Sequence, residues 1–176
     1  MRILISGVVM FLVMMAIVAL ARDTLFRPPA EAELDLTALG NDTPREALSE
    51  GLSDLAFECT GDKRGLEAGE RACFAPVSRV GDYEADYLAL FLDAEQELAA
   101  VNIVLDPDRQ QANRQRMREA LGEPTREMAN GRTWLVWERD QQLILTHKEP
   151  AATSDAPVLM WFRNAQLMER LLPEPS

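Results

Sequence analysis

The chain reads as an α+β protein: an N-terminal transmembrane or signal helix, then one antiparallel-sheet domain with helices packed on one face, in the order α-ββ-α-βββ-α. Three features lead there. Residues 3–21 (ILISGVVMFLVMMAIVALA) form an apolar run without a single charge. Later apolar runs are short, adjacent and separated by tight polar turns, the pattern of strands that pair antiparallel. Between them lie stretches with helix start and stop signals.

Nineteen helical residues at about 1.5 Å each span roughly 28 Å, close to the roughly 30 Å of a hydrocarbon core. That length fits a retained anchor, whereas Ala19-Leu20-Ala21 fits a signal-peptidase site, so residues 1–21 are an anchor or a cleaved signal. No cysteine lies near this boundary, which excludes acylation as a lipoprotein. Arg2 against Arg22 and Arg27 tilts the positive-inside count toward a cytoplasmic domain. The short N-terminal tail and the ease with which long domains translocate point the other way, to export. Residues 22–42 contain Pro28-Pro29 and then an acidic stretch; they read as an extended spacer whose Leu34, Leu36 and Leu39 can dock on the domain.

The folded domain is expected over residues 43–176. Thr43-Pro44-Arg45-Glu46 supplies an N-cap, an N1 proline and a capping-box glutamate. Leu48, Leu52, Leu55 and Cys59 follow at i, i+4, i+7 and i+11, so the spacing predicts a helix that ends near Cys59. Residues 83–92 and 98–105 alternate as a hairpin apolar on both faces, so each side needs a cover. Asp106-Pro107-Asp108 starts a second helix, which Gly122 and Pro124 stop; its apolar stripe is thin, at Ala112, Met117, Ala120 and Leu121. Strands follow at 133–138, 142–146 and 158–163, the first two joined by a turn around Arg139-Asp140. Asn164 caps a last short helix carrying Leu167, Met168, Leu171 and Leu172. Helix–hairpin followed by helix–hairpin hints at a loose αββ duplication. The succession of helix, LGEP stop, W-x-x-W strand and hairpin resembles the small periplasmic αβββ modules of outer-membrane assembly lipoproteins and secreted enzyme inhibitors; the resemblance implies a fold and nothing about function.

Charge narrows the partners. Arg2 is the only charge before residue 22, which leaves 17 basic against 29 acidic residues beyond it, a net charge of −12. Such a domain repels nucleic-acid phosphates and anionic lipid surfaces alike. The two cysteines, Cys59 and Cys73, enclose a glycine-rich, charged segment that orders itself poorly, and in an exported chain they read as a disulfide. A redox pair would favour C-x-x-C, which is absent.

No motif carries chemistry. His147 is the single histidine, and Ser49, Ser53, Ser78 and Ser154 all lack a nucleophile-elbow context. Asp106-x-Asp108 lacks the rest of a calcium loop and reads as helix capping. No catalytic, cofactor or metal residue is assigned. Two clusters are candidates for partner contact. Arg109, Arg114, Arg116 and Arg118 concentrate positive charge on one helix of an acidic protein, with a solvated helix face as the plainer account. Trp134, Trp137 and Trp161 lie on neighbouring strands; Trp134 and Trp137, three apart, point to opposite sheet faces, and core packing is the plainer account of them.

The function expected from this is a membrane-anchored, externally facing, non-catalytic binding or accessory protein. It would hold the bilayer through residues 3–21 and an unidentified protein through its domain. A secreted small hydrolase using paired carboxylates and a cleaved soluble inhibitor or immunity-type protein are the alternatives.

Overall fold

A computed structural model of the chain describes residues 30–40, 51–61, 66–149 and 156–172. Nine strands form one mixed sheet: β1 (Ala30–Ala32), β2 (Glu58–Thr60), β3 (Arg71–Val80), β4 (Tyr83–Leu92), β5 (Leu98–Leu105), β6 (Arg126–Asn130), β7 (Arg132–Arg139), β8 (Gln142–His147) and β9 (Val158–Phe162). The helices that lie wholly within the described residues are α1 (Gln110–Leu121), entered through a 3-10 turn at Pro107–Arg109, and α2 (Ala165–Leu171). The class is α+β. The apolar run 3–21 and the helix start at 43–46 lie outside the described residues. Among the described residues no helix is long and apolar enough to cross a membrane.

The sheet runs β1-β3-β4-β5-β9-β8-β7-β6, with β2 also beside β3. Every pair is antiparallel except β1 on β3. β4 and β5 fall where the alternation puts them. The β7–β8 hairpin turns through Asp140 and Gln141, both at positive φ (47° and 75°), a backbone whose twist suits a two-residue hairpin. Asp106 caps the helical start, its Oδ1 accepting from Asp108 N at 2.8 Å, and Gly122 ends α1 at φ 80°. Asn164 Oδ1 accepts from Leu167 N at 3.0 Å and opens α2.

Four expectations need correction. The helices do not share a face. Met117 of α1 packs with Val101, Ile103, Leu135, Trp137, Ile144 and Trp161 on a first face; Met168 of α2 packs with Ala100, Trp134, Val136, Leu143, Leu145 and Phe162 on a second. Strands apolar on both sides need cover on both sides, and the helices divide the work. β3 and β6, with the short β1 and β2, are additional strands. Pro76 masks the first, because proline cannot donate to a ladder; it falls in the break between β2, which reaches Phe74, and β1, which begins opposite Val77. Cys59 lies in β2 and not on a helix: residues 51–52 are helical and 53–54 turn. Lastly, Ala112 and Ala120 are exposed, and α1 buries Gln110, Asn113 and Met117 instead. Gln110 Nε2 donates to Glu149 O (3.1 Å) and Asn113 Nδ2 to Glu84 O (3.5 Å), so neighbouring loops satisfy a polar buried stripe.

The first helix of the expected loose αββ duplication starts outside the described residues; what the strand order does relate is a different pair of units. β3-β4-β5-α1 and β7-β8-β9-α2 meet antiparallel between β5 and β9. A two-fold relating antiparallel neighbours runs perpendicular to the sheet and would leave both helices on one side, which is not the case.

Residues 30–40 belong to the packed body: Ala32, Leu34, Leu36 and Leu39 are buried on the first face beside Leu52 and Leu55. Two glycines admit this crossing. A Cβ on Gly51 would lie 2.1 Å from Glu33 O, and one on Gly81 (φ +52°) 2.6 Å from Leu34 O, too close for any side chain.

The β4–β5 loop is locked from across the sheet. Arg163, just after β9, meets Asp93 Oδ2 at 2.6 Å and Glu97 Oε2 at 3.3 Å, while Asp93 Oδ1 accepts from Glu97 N at 2.8 Å. Burial pushes the Asp93 carboxyl up, but the Arg163 and Glu97 hydrogen bonds outweigh it and hold the pKa below its usual 3.8. A carboxylate depressed in the folded state contributes stability above its unfolded pKa and loses it as pH falls through the folded value. Wild type should therefore lose more stability below about pH 4 than Asp93→Asn, a difference that urea midpoints across the acid range will read. Parallel pH curves for the two proteins would clear Asp93 of any part in acid unfolding.

Candidate functional site

Arg109 at the N-cap of α1 and Arg114, Arg116 and Arg118 within it divide between its sides. Arg116 turns inward, its Nη1 donating to Asp82 O (2.7 Å) in the β3–β4 turn and to Asn113 Oδ1 (3.4 Å). Arg109, Arg114 and Arg118 line a groove of about 610 Å³ along the outer side of α1, with Asp108, Gln111, Ala112 and Gln115. Arg114 and Arg118 also wall a neighbouring cleft of about 260 Å³ that Glu123, Pro124, Arg126, Glu127, Leu135 and Lys148 complete. Helical spacing does this: positions 114 and 118 are one turn apart and stack along one side.

The electrostatics differ from one arginine to the next. Arg109 Nε lies 3.1 Å from Glu84 Oε2. Arg126 Nε meets Glu138 Oε1 at 2.7 Å and Lys148 Nζ meets Glu127 Oε2 at 2.8 Å; the Glu127 hydrogen bond holds the Lys148 ammonium above its usual pKa. Arg114 donates from Nη1 to the backbone oxygen of Lys148, which fixes its position without cancelling its charge. The Arg118 Nε lies 3.9 Å from Glu123 Oε2, beyond hydrogen-bonding range. Arg114 thus meets a neutral acceptor, and Arg118 meets Glu123 only at ion-pair range without a hydrogen bond. The cleft sets four cations against two carboxylates over the buried Leu135.

The tryptophans are core residues, not contact anchors. Trp134, Trp137 and Trp161 are 6%, 2% and 1% exposed. Trp134 and Trp137 do point to opposite faces, and both faces are covered there. Each indole N–H is directed at an oxygen: Trp137 at Gly122 O (2.9 Å), Trp161 at Gln142 Oε1 (3.2 Å) and Trp134 at Asn130 O (3.4 Å). His147 is buried with its ring 4.2 Å from that of Trp134. Among the described residues no three His, Cys, Asp or Glu side chains gather as a metal site. Cys59 and Cys73 form a disulfide between the paired strands β2 and β3.

Two features were not anticipated. Glu70 is buried and meets Arg170 Nη2 at 2.7 Å, while Glu67 meets Nη1 at 2.7 Å, which ties α2 to the segment entering β3. The second face, beyond the reach of α2, exposes Tyr87 to 40%. No sequence signal marks either, since both depend on which strands become neighbours. No protein-family model, curated protein or solved structure matches the chain.

Proposed function

We propose that this is a membrane-tethered, externally facing binding or accessory module that docks an acidic protein partner along the outer side of α1. One observation carries the reading: Arg114 and Arg118 form the wall shared by two adjoining cavities on a chain whose net charge is −11. A body of that charge repels acidic proteins everywhere else, so a local positive strip sets both where a partner lands and in which orientation. The tether supplies a second advantage, since a partner in the same membrane meets the ridge at raised effective concentration. The Cys59–Cys73 disulfide fits an oxidising compartment.

Crosslinking in membranes followed by affinity capture tests this. The wild-type chain should retain a partner whose capture falls as salt is raised, because exposed ion pairs are screened. Arg114→Glu with Arg118→Glu should reduce capture about tenfold or more while leaving the melting temperature in place. Equal capture by the two proteins, or capture indifferent to salt, overturns the ridge as the docking surface. Intact mass of the same material shows whether residues 1–21 are retained; their loss would replace the tether by the cleaved, diffusing alternative.

A further inference from the structure

β6 ends the sheet, and among the described residues no strand pairs with its outer side. Its inner neighbour fixes which of its backbone groups are free. Val136 O accepts from Thr125 N at 2.8 Å, so the even positions of β7 turn their polar groups toward β6. Thr133 O, at an odd position, accepts from Lys148 N at 2.9 Å on the β8 side. The register Arg126–Val136, Met128–Trp134 and Asn130–Arg132 then commits the even positions of β6 to the sheet. Glu127 and Ala129 are left with N–H and C=O aimed outward, and both residues are exposed. Donors and acceptors in line along one edge are what an added strand requires.

Edge strands commonly hide such groups behind charged side chains. Here the charges are drawn the other way: Arg126 reaches back to Glu138 of β7 at 2.7 Å, and Glu127 to Lys148, just after β8, at 2.8 Å. The side chains of Glu127 and Ala129 lie on the first face, because Glu127 stands opposite Leu135 of the first-face core. That is the face of the basic cleft, whose lining runs from Arg114 and Arg118 over Leu135 to Glu127 itself. The cleft therefore reaches the sheet edge. Any strand laid about 4.8 Å beyond β6 turns every second side chain to this face, beside the cleft.

We infer that the partner docks through an extended acidic segment, which adds to β6 as a further strand and sets alternate Asp or Glu side chains toward Arg114 and Arg118. This rests on the arginine ridge as the docking surface and supplies the form of what docks there. The backbone of β6 holds the segment, and the cleft selects its charge. A basic segment would meet the cations of the cleft, and an acidic helix would bring charge but no free backbone groups for Glu127 and Ala129. A second copy is disfavoured. Two β6 edges pairing antiparallel are related by a two-fold perpendicular to the sheet, which brings both basic clefts to the same side of the joint and unites two chains of net charge −11.

Peptide binding to the full chain in detergent tests this, read by the fluorescence anisotropy of a dye on the peptide. The probe alternates glutamate with valine and is blocked at both ends; its control carries lysine in place of glutamate. The glutamate peptide should bind and the lysine peptide should not. N-methylating the amides of one alternate set, those that face β6, should weaken binding about tenfold or more, and methylating the other set should leave it unchanged. On the protein, Ala129→Pro removes an outward N–H without touching the ladder to β7, so it should also weaken binding about tenfold at an unchanged melting temperature. Should that variant melt early, the methylated peptides on wild type decide alone. A glutamate peptide that stays unbound, any other methylation pattern, or a wild-type dimer that Ala129→Pro dissociates overturns the added strand. Arg114→Glu with Arg118→Glu tells the two readings apart. Binding lost on charge reversal yet indifferent to methylation keeps the ridge and removes the strand; binding sensitive to methylation yet indifferent to charge reversal removes the ridge, and with it the seat for acidic side chains.

Discussion

Replacing Cys59 and Cys73 together by serine should lower the stability of the folded unit by about 3 kcal/mol, the unfolded-state entropy released when a loop of this length is opened. The bridge spans 14 residues, and the loop it closes contains Gly61, Gly65 and Gly69, whose backbones gain the most freedom on unfolding. The native state has other reasons to keep the region closed. β2 and β3 stay paired from Glu58–Phe74 to Thr60–Ala72, and Arg170 holds Glu67 and Glu70. The loss should therefore appear as a lower melting temperature of an otherwise native protein, by about 6–12 °C for a domain of this size. Scanning calorimetry with and without a thiol reductant checks it: reductant should bring wild type down to the melting temperature of the double serine variant and leave that variant unmoved. A variant that melts with wild type would make the bond idle. A protein isolated with both thiols reduced would also remove the support that the bond lends to an oxidising compartment.

How much of this molecule is legible in its residues depends on whether the cue is local. Asp106-Pro107 and Gly122 bound α1, Asn164 opens α2, and the alternation over 83–92 and 98–105 places a hairpin to the residue, because capping and side-chain alternation are properties of a few consecutive positions. The Cys59–Cys73 bond is legible from count and context. What is not legible depends on neighbours far away in the chain. Cys59 continues a leucine spacing that ends well before it, because pairing with β3 claims residues 58–60 as a strand. β6 is short and polar at an exposed edge, so it shows no alternation worth reading. The buried polar stripe of α1 follows from Glu84 and Glu149 offering carbonyls that only the tertiary fold brings there. The basic ridge shows the same division: its charge is read directly, but the diversion of Arg116 to Asp82 and the shared wall of Arg114 and Arg118 belong to packing.

Trp137→Ala should be the most damaging single change, at about 3–5 kcal/mol. The ring is 2% exposed and sits where three parts of the fold meet. It belongs to the first-face core with Met117 of α1 and Ile144 of β8, and it lines a cavity of about 170 Å³ with Leu36 and Leu39 of the N-terminal segment. Truncation enlarges that cavity, and the carbonyl of Gly122 loses the indole N–H that meets it at 2.9 Å. Trp137→Phe separates the two losses. It keeps most of the volume but not the donor, so it should cost nearer the ~1 kcal/mol of one hydrogen bond plus a modest packing term. Urea unfolding, followed by the fluorescence of Trp134 and Trp161, gives both numbers on one scale. Because α1 is held to the sheet largely through Met117 and the Gly122 end, the alanine variant should also disturb the arginine ridge. Capture of an acidic partner should weaken in Trp137→Ala although no charge has changed, and recover in Trp137→Phe. A ridge indifferent to Trp137→Ala would mean that α1 holds its place without this ring, with Met117 and the buried Gln110 and Asn113 sufficient to seat the helix.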